Sequence, residues 1–275
     1  MLRFKNYTRN SLLMILLFYF TGCSQLTSIN MYSTSEEINL GNRYAFQIEK
    51  QLQLIYDPFI NDYINNLGQR LVRVSKRNNI KYTFKVVNDP AINAFAIPGG
   101  HCYVNLGLID FAETESELAS VIGHEIGHVV AAHSVKRMSK SRVINQALFI
   151  GEVLGMIFIG QRTTENALAV ADLASTGVLL KYSRNDELEA DRLGIQQMYD
   201  AGIDPKGSQQ FFKKIASKDA RRNSGINQFL STHPATEDRI DQAANLVKKL
   251  PVKKYKSISK ERFNKIKEIV KKSER

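Results

Sequence analysis

Apolar residues recur at helical spacing along most of the chain and alternate at strand spacing over one stretch before its middle. From Ser35 to Tyr56, Ile38, Ala45, Ile48, Leu52 and Ile55 fall close to a helical period behind Glu36 and Glu37, which predicts a helix with acids at its start. Pro58 opens a second helix running to about Ser75, with Phe59, Tyr63, Leu67, Leu71 and Val74 on one side. Tyr82-Thr83-Phe84-Lys85-Val86-Val87 alternates and is rich in β-formers, so it predicts a strand. Asn93 to Ile97, the Pro98-Gly99-Gly100 turn and His101 to Asn105 predict further short strands. Residues 115 to 135 then carry an apolar stripe, Leu118, Val121, Ile122, Val129 and Val130, behind Thr114-Glu115-Ser116-Glu117, which resembles a capping box.

Downstream, Ala147 to Gly160 is an apolar run interrupted by Glu152. It is shorter than the roughly 20 residues that span a bilayer, so it predicts a buried or site-covering helix rather than a membrane segment. Ala167 to Leu180 is another helical stretch, and Tyr182 leads into a helix continuing through Gln197 and Met198. Ala201 to Pro205 predicts a turn, Phe211 to Ala216 a helix and Arg221 to Gly225 a polar loop. The expected fold is α+β and mostly helical, with a small sheet beside the 115 to 135 helix.

The N-terminus has its own pattern. Arg3, Lys5 and Arg9 precede an apolar segment from Ser11 to Phe20, the layout of a secretory signal. Phe20-Thr21-Gly22-Cys23 resembles a bacterial lipobox with Phe20 in place of the usual aliphatic residue, and it predicts lipidation at Cys23. Cys102 is the one other cysteine, so no intrachain disulfide is expected once Cys23 is acylated. Cys102 reads as a buried strand thiol.

At 275 residues the chain can bury a sizeable core as one domain with tails. The net charge of +11 is concentrated at one end, because from Lys248 onward twelve Lys and Arg stand against Glu261, Glu268 and Glu274. Aromatic residues in that basic tail are limited to Tyr255 and Phe263, and no nucleic-acid motif is present, so no nucleic-acid partner is expected. Its helical patch, Ile258 to Val270, reads either as a helix on an anionic membrane surface or as a soluble helix.

The candidate chemistry sits on the 115 to 135 helix as His124-Glu125-Ile126-Gly127-His128, an H-E-x-x-H sequence. Four residues apart on a helix, His124 and His128 project from one face within reach of a single ion. Two neutral imidazoles suit Zn²⁺, a catalytic zinc takes one further protein ligand, and Glu125 would face the open position as general base. The third ligand should come from another element. Glu187-Leu188-Glu189-Ala190-Asp191 offers acids at helical spacing, with Glu187 and Asp191 on one face, and spacing alone leaves open which of the three ligates. A neighbouring acid could accept the N–H of a ligating histidine. His133, five residues beyond His128, would point about 140° away on a continuous helix and reads as a helix-end residue. His101 reads as structural.

These motifs together resemble the M48 peptidases, zinc-dependent endopeptidases of the gluzincin group. The resemblance covers Asn88-Asp89-Pro90 through Asn93-Ala94-Phe95-Ala96-Ile97-Pro98-Gly99-Gly100, then Tyr103 to Leu108, the H-E-x-x-H helix, the E-x-E-A-D segment, and Thr232-His233-Pro234 followed by Arg239-Ile240. It implies a zincin-like domain with one Zn²⁺ per chain, His124, His128 and Glu187 as ligands, Glu125 as catalytic base and Asp191 in support. It also implies that an edge strand of the small sheet binds extended peptide, and that His233 lies near the cleft, donating to an oxyanion or ligating zinc in place of water.

The expected organisation is a signal peptide over 1–22, a linker over 23–34 after the lipidated cysteine, a metallopeptidase domain over 35–247 and a basic tail over 248–275. The expected activity is zinc-dependent hydrolysis of peptide bonds in unfolded or misassembled envelope proteins. The expected location is the periplasmic side of a bacterial membrane, as an outer-membrane lipoprotein held through its lipid anchor. The alternative is a chaperone-like assembly and quality-control factor whose zinc site is normally closed. Oligomeric state is not legible.

Overall fold

The computed structural model describes residues 30–140, 182–217, 226–256 and 260–273. The signal segment, Cys23, the 147–160 run, the 167–180 stretch and the 221–225 loop lie outside them.

Helix α1 (Thr34–Glu49) begins on a capping box, in which the Ser33 hydroxyl accepts from the Glu36 N–H and the Glu36 carboxylate accepts from the Ser33 N–H. It stops short of the predicted end. Leu54–Ile55 instead form strand β1, whose backbone pairs antiparallel with Val86 and Val87, so ladder bonds override the helical period there. Helix α2 (Pro58–Val72) starts at Asp57, whose carboxylate accepts from the Ile60 N–H at 3.0 Å.

Strands β2 (Thr83–Val87), β3 (Ala94–Ile97) and β4 (His101–Asn105) complete a four-stranded sheet in the order β1-β2-β4-β3. β2 and β4 are parallel, and β3 runs antiparallel to β4. The reversal between β3 and β4 passes through Gly99 and Gly100 at φ 81° and 90°, a region costly for any residue with a Cβ. β3 is an edge strand, and its register decides which groups face outward. The Asn105 N–H donates to the Asn93 carbonyl, and bonded and non-bonded pairs alternate in an antiparallel ladder. Ala94 and Ala96 are therefore the residues that turn their N–H and C=O away from β4.

After α3 (Leu106–Phe111), helix α4 (Glu115–Val130) carries the H-E-x-x-H sequence and is buried along almost its whole length. Thr114 caps it as predicted, accepting from the Glu117 N–H at 3.2 Å. The reciprocal half of the box is shifted: the Glu117 carboxylate accepts from the Glu113 N–H and pairs with Lys214 at 2.6 Å. The helix ends earlier than residue 135. Ala132 takes φ 56°, in the left-handed region, and a new helix, α5 (His133–Lys140), starts in another direction.

Helix α6 (Arg184–Asp200) opens on a second capping box, between Ser183 and Asp186. It crosses α4 at a seam of small residues. A Cβ added at Gly127 would lie 2.6 Å from the Ala190 carbonyl oxygen, and one at Gly194 would lie 2.8 Å from the Gly123 carbonyl carbon. Only glycine admits that approach, and it brings the acids of α6 against the histidines of α4. Helices α7 (Lys206–Ala216), α8 (Ile226–Thr232) and α9 (Glu237–Lys249) close over the crossing.

Helix α10 (Lys260–Ser273) lies in the basic segment, and its apolar side is spent on the core: Phe263, Ile266 and Val270 are buried, with the Phe263 ring 6.3 Å from that of Tyr63 on α2. That face is not free to lie on a membrane. No helix among the described residues is long and apolar enough to cross one.

Candidate metal centre

Four buried side chains from three elements converge. His124 and His128 come from α4, Glu187 from α6 and His233 from the loop after α8, and their ligand atoms all lie within 4.8 Å of one another. His128 Nε2 is 2.9 Å from His124 Nε2, which is 3.1 Å from His233 Nδ1. Glu187 faces all three, with Oε1 3.0 Å from His233 Nδ1 and 3.5 Å from His128 Nε2, and Oε2 3.4 Å from His124 Nε2.

Donors held tetrahedrally at 2.0–2.1 Å from one ion stand about 3.4 Å apart. The observed spacings bracket that value, and three imidazoles with one carboxylate are a donor set suited to a divalent transition metal. The residues fit such an ion.

The charge balance favours a cation at this point. Burial alone would lower the His124 imidazolium, but Asp191 and Glu187 more than reverse that and take it up to about 9. Burial would raise the Glu187 carboxyl, and the imidazoles of His233 and His124 instead hold it far below the usual carboxylate range. His128 is pushed well down by burial and by His124, which leaves it neutral with a free lone pair. A carboxylate that draws protons onto neighbouring imidazoles draws a metal ion for the same reason.

Glu125 lies beside this group with its two oxygens in different circumstances. Oε2 accepts the outward Ala96 N–H of β3 at 3.0 Å. Oε1 is buried, has no hydrogen-bond partner among the described residues and faces His233 Nε2 at 3.5 Å. Burial raises its carboxyl pKa, partly offset by His233 and His124, which suits a group that must accept a proton.

The three acids of Glu187 to Asp191, inseparable by spacing, separate by what they face. Glu187 points into the donor group, Asp191 accepts from His124 Nδ1 at 2.7 Å, and Glu189 lies 3.3 Å from His133 Nε2. Burial would raise the Asp191 carboxyl, but Arg239 and then His124 lower it.

The sequence matches the profile of peptidase family M48 over residues 58–247. The chain belongs to that family. Among curated proteins it is 34% identical over 216 residues to the beta-barrel assembly-enhancing protease of Yersinia pestis, covering 78% of this chain and 44% of that one. The corresponding Escherichia coli K12 protein gives the same identity over 218 residues, again 78% and 44%. The mitochondrial metalloendopeptidase OMA1 of Schizosaccharomyces pombe is 29% identical over 195 residues, 71% of this chain and 55% of its own length. The chain thus spans about half the length of these relatives.

Within this M48 domain, two residues do more than the sequence disclosed. Arg239 is buried and joins the carboxylates, meeting Asp191 through Nε and Nη2 at 2.7 and 2.8 Å and Glu187 through Nη1 at 2.6 Å. It also donates to the Pro234 carbonyl at 3.0 Å, which ties down the loop bearing His233. Its place beyond His233-Pro234 in the family pattern was the available signal. Tyr182 stacks its ring on His128 with centroids 3.8 Å apart and bonds Ser134 at 2.9 Å.

His133 is the correction. It is a helix-end residue, the first of α5, but it does not point away, since the left-handed turn at Ala132 swings it back until its Nδ1 lies 2.8 Å from His128 Nδ1. It stays outside the four-donor group. His101 is structural, held between Thr83 at 3.1 Å and Asn42 at 3.0 Å, and Cys102 is a buried strand thiol.

Proposed function

We propose that this chain is a metalloendopeptidase that binds one Zn²⁺ through His124, His128 and Glu187 and hydrolyses peptide bonds in unfolded or misassembled envelope proteins. The observation that carries the reading is the buried Oε1 of Glu125, which has no hydrogen-bond partner among the described residues, set beside a convergent donor group.

Zn²⁺ bound there would supply a Lewis acid that polarises the scissile carbonyl and lowers the pKa of a water molecule. Glu125 Oε1 takes a proton from that water as its oxygen bonds to the carbonyl carbon. Glu125 then returns the proton to the amide nitrogen as the C–N bond breaks. Asp191 holds the His124 ring by its far nitrogen, and Arg239 holds Asp191. The outward N–H and C=O groups of Ala94 and the outward C=O of Ala96, whose N–H is already donated to Glu125, would pair with an extended substrate, a mode that reads backbone more than side chain and so suits unfolded chains.

His233 sits as a fourth donor, with Nδ1 in the group and Nε2 toward Glu125. Four protein ligands close a zinc site. This favours the second reading, an assembly and quality-control factor whose site is closed until a client displaces His233. On that reading His233→Ala increases cleavage of an unfolded protein; decreased cleavage would instead assign His233 to oxyanion binding.

The beta-barrel assembly named for two relatives fits a place at the bacterial envelope. We infer export, lipidation at Cys23 and attachment to the outer membrane on its periplasmic side, with residues 35–247 as the catalytic domain. Cleavage of an unfolded protein that disappears on chelation and returns with one equivalent of zinc tests the function. Cleavage unaffected by chelation would reject it.

A further inference from the structure

Each of the two α4 histidines has one ring nitrogen in the donor group and one turned away from it. For His124 the far nitrogen meets Asp191, a carboxylate, as ligating histidines commonly do. For His128 it meets another histidine. His128 Nδ1 and His133 Nδ1 are 2.8 Å apart, and His133 Nε2 lies 3.3 Å from Glu189 Oε2 and 3.5 Å from Asp186 Oδ1. The His133 side chain is only 1% exposed, whereas those of Asp186 and Glu189 are 35% and 44% exposed.

We propose that His133 is a positioning residue for His128, the imidazole member of a relay from the metal centre to the outer acids of α6. The inference rests on the reading of His128 as a ligand through Nε2. Once that is granted, the proton positions follow one from another. A neutral imidazole that ligates through Nε2 carries its proton on Nδ1, so His128 donates and His133 Nδ1 accepts. His133 then has its own proton on Nε2, where Glu189 Oε2 accepts it and Asp186 Oδ1 adds a second negative charge nearby. One polarity gives every ring nitrogen in the row a partner.

The relay has a structural consequence. Asp186 and Glu189 share with Glu187 the helix α6, so the element that supplies the carboxylate donor also orients, through His133, the second histidine of α4. Ala132 at φ 56° is what makes this possible, since a helix continued through residue 133 would carry the ring away. The non-glycine left-handed residue and the buried histidine after it form one device.

The test is zinc affinity, measured on the full chain by competition with a chromophoric chelator, for the unaltered protein, His133→Leu and His133→Asn. Leucine fills the space without accepting a hydrogen bond, while the asparagine amide oxygen falls near the position of Nδ1 and accepts from His128. Loss of an outer hydrogen-bond partner weakens metal binding roughly 10–100-fold, so His133→Leu should fall in that range and His133→Asn should stay within about threefold of the unaltered protein. Should His133→Leu fail to fold by circular dichroism of the zinc-free protein, His133→Gln replaces it, because its amide reaches the Nε2 position and leaves His128 without an acceptor. Equal affinity for the asparagine variant and the leucine or glutamine variant would overturn the inference while leaving the zinc site intact. Absence of stoichiometric zinc from the unaltered protein would overturn the site reading, and this inference with it.

Discussion

Arg239 grips Asp191 through two parallel hydrogen bonds, Nε to Oδ2 at 2.7 Å and Nη2 to Oδ1 at 2.8 Å, with both side chains almost wholly buried. The pair links α9 to α6, and Asp191 in turn holds His124 on α4. A forked guanidinium matched to a carboxylate cannot be replaced by a point charge.

Removing one member of a buried ion pair costs about 3–5 kcal/mol, because the charge left behind keeps its desolvation penalty. Arg239→Leu should therefore lower the thermal midpoint of the zinc-free protein by on the order of 10 °C for a domain of this size. Arg239→Lys should recover only part of the loss. A differential scanning calorimetry trace unchanged by Arg239→Leu would show that the pair contributes nothing net.

Gly127 and Ala190 set the spacing of the two site-bearing helices. A methyl at Gly127 meets the Ala190 carbonyl oxygen at 2.6 Å, backbone that cannot swing aside like a flexible side chain. Gly127→Ala should destabilise by about 1–3 kcal/mol, the usual cost of overpacking, even though alanine favours a helix more than glycine does. Urea unfolding would decide, and an increase in stability would mean the helices have room to spare.

The helices were legible wherever their signal is local. The apolar stripe of α4, the cap at Thr114, the opening of α2 at Pro58 and the alternation of β2 all depend on neighbours a few residues apart, so the sequence carries them openly. What failed was extrapolation. Leu52 and Ile55 continue a helical period, but α1 ends at Glu49 and Leu54–Ile55 pair with β2, and the projected direction of His133 assumed a helix that Ala132 ends. In the site, the pairing of His124 with His128 is a property of spacing, whereas Glu187, Glu189 and Asp191 divide their partners by the angle at which α6 crosses α4. That angle comes from glycines whose packing role no periodicity announces. The roles of Arg239 and Tyr182 likewise exist only once α9 and the start of α6 are folded against α4.

Cys102 is 2% exposed on β4, and burial, with Glu125 nearby, pushes its thiol pKa well above the ordinary value. The thiolate is the reactive species, so raising the pKa suppresses reaction even where a reagent can reach it. In a Cys23→Ser form, where Cys102 is the sole cysteine, native protein should react with an aromatic disulfide reagent at least about a hundredfold more slowly than unfolded protein. Raising the pH within the range where the fold persists should accelerate the native reaction, since more thiolate forms as pH approaches the elevated pKa. Immediate stoichiometric reaction of the native thiol would contradict the burial.

The central claim is that Glu125, whose Oε1 has no hydrogen-bond partner among the described residues and lies beside the His124, His128 and Glu187 cluster, is the base of a metal-dependent peptidase. The most direct measurement compares cleavage of an unfolded protein by the zinc-loaded chain and by its Glu125→Gln variant, with zinc content determined for both. Glutamine preserves shape and can still accept from the Ala96 N–H, but it cannot take a proton from water. The account predicts equal zinc in the two proteins and loss of at least about a hundredfold in turnover for the variant, the scale of general-base catalysis. Equal cleavage by both, at equal zinc content, would contradict it.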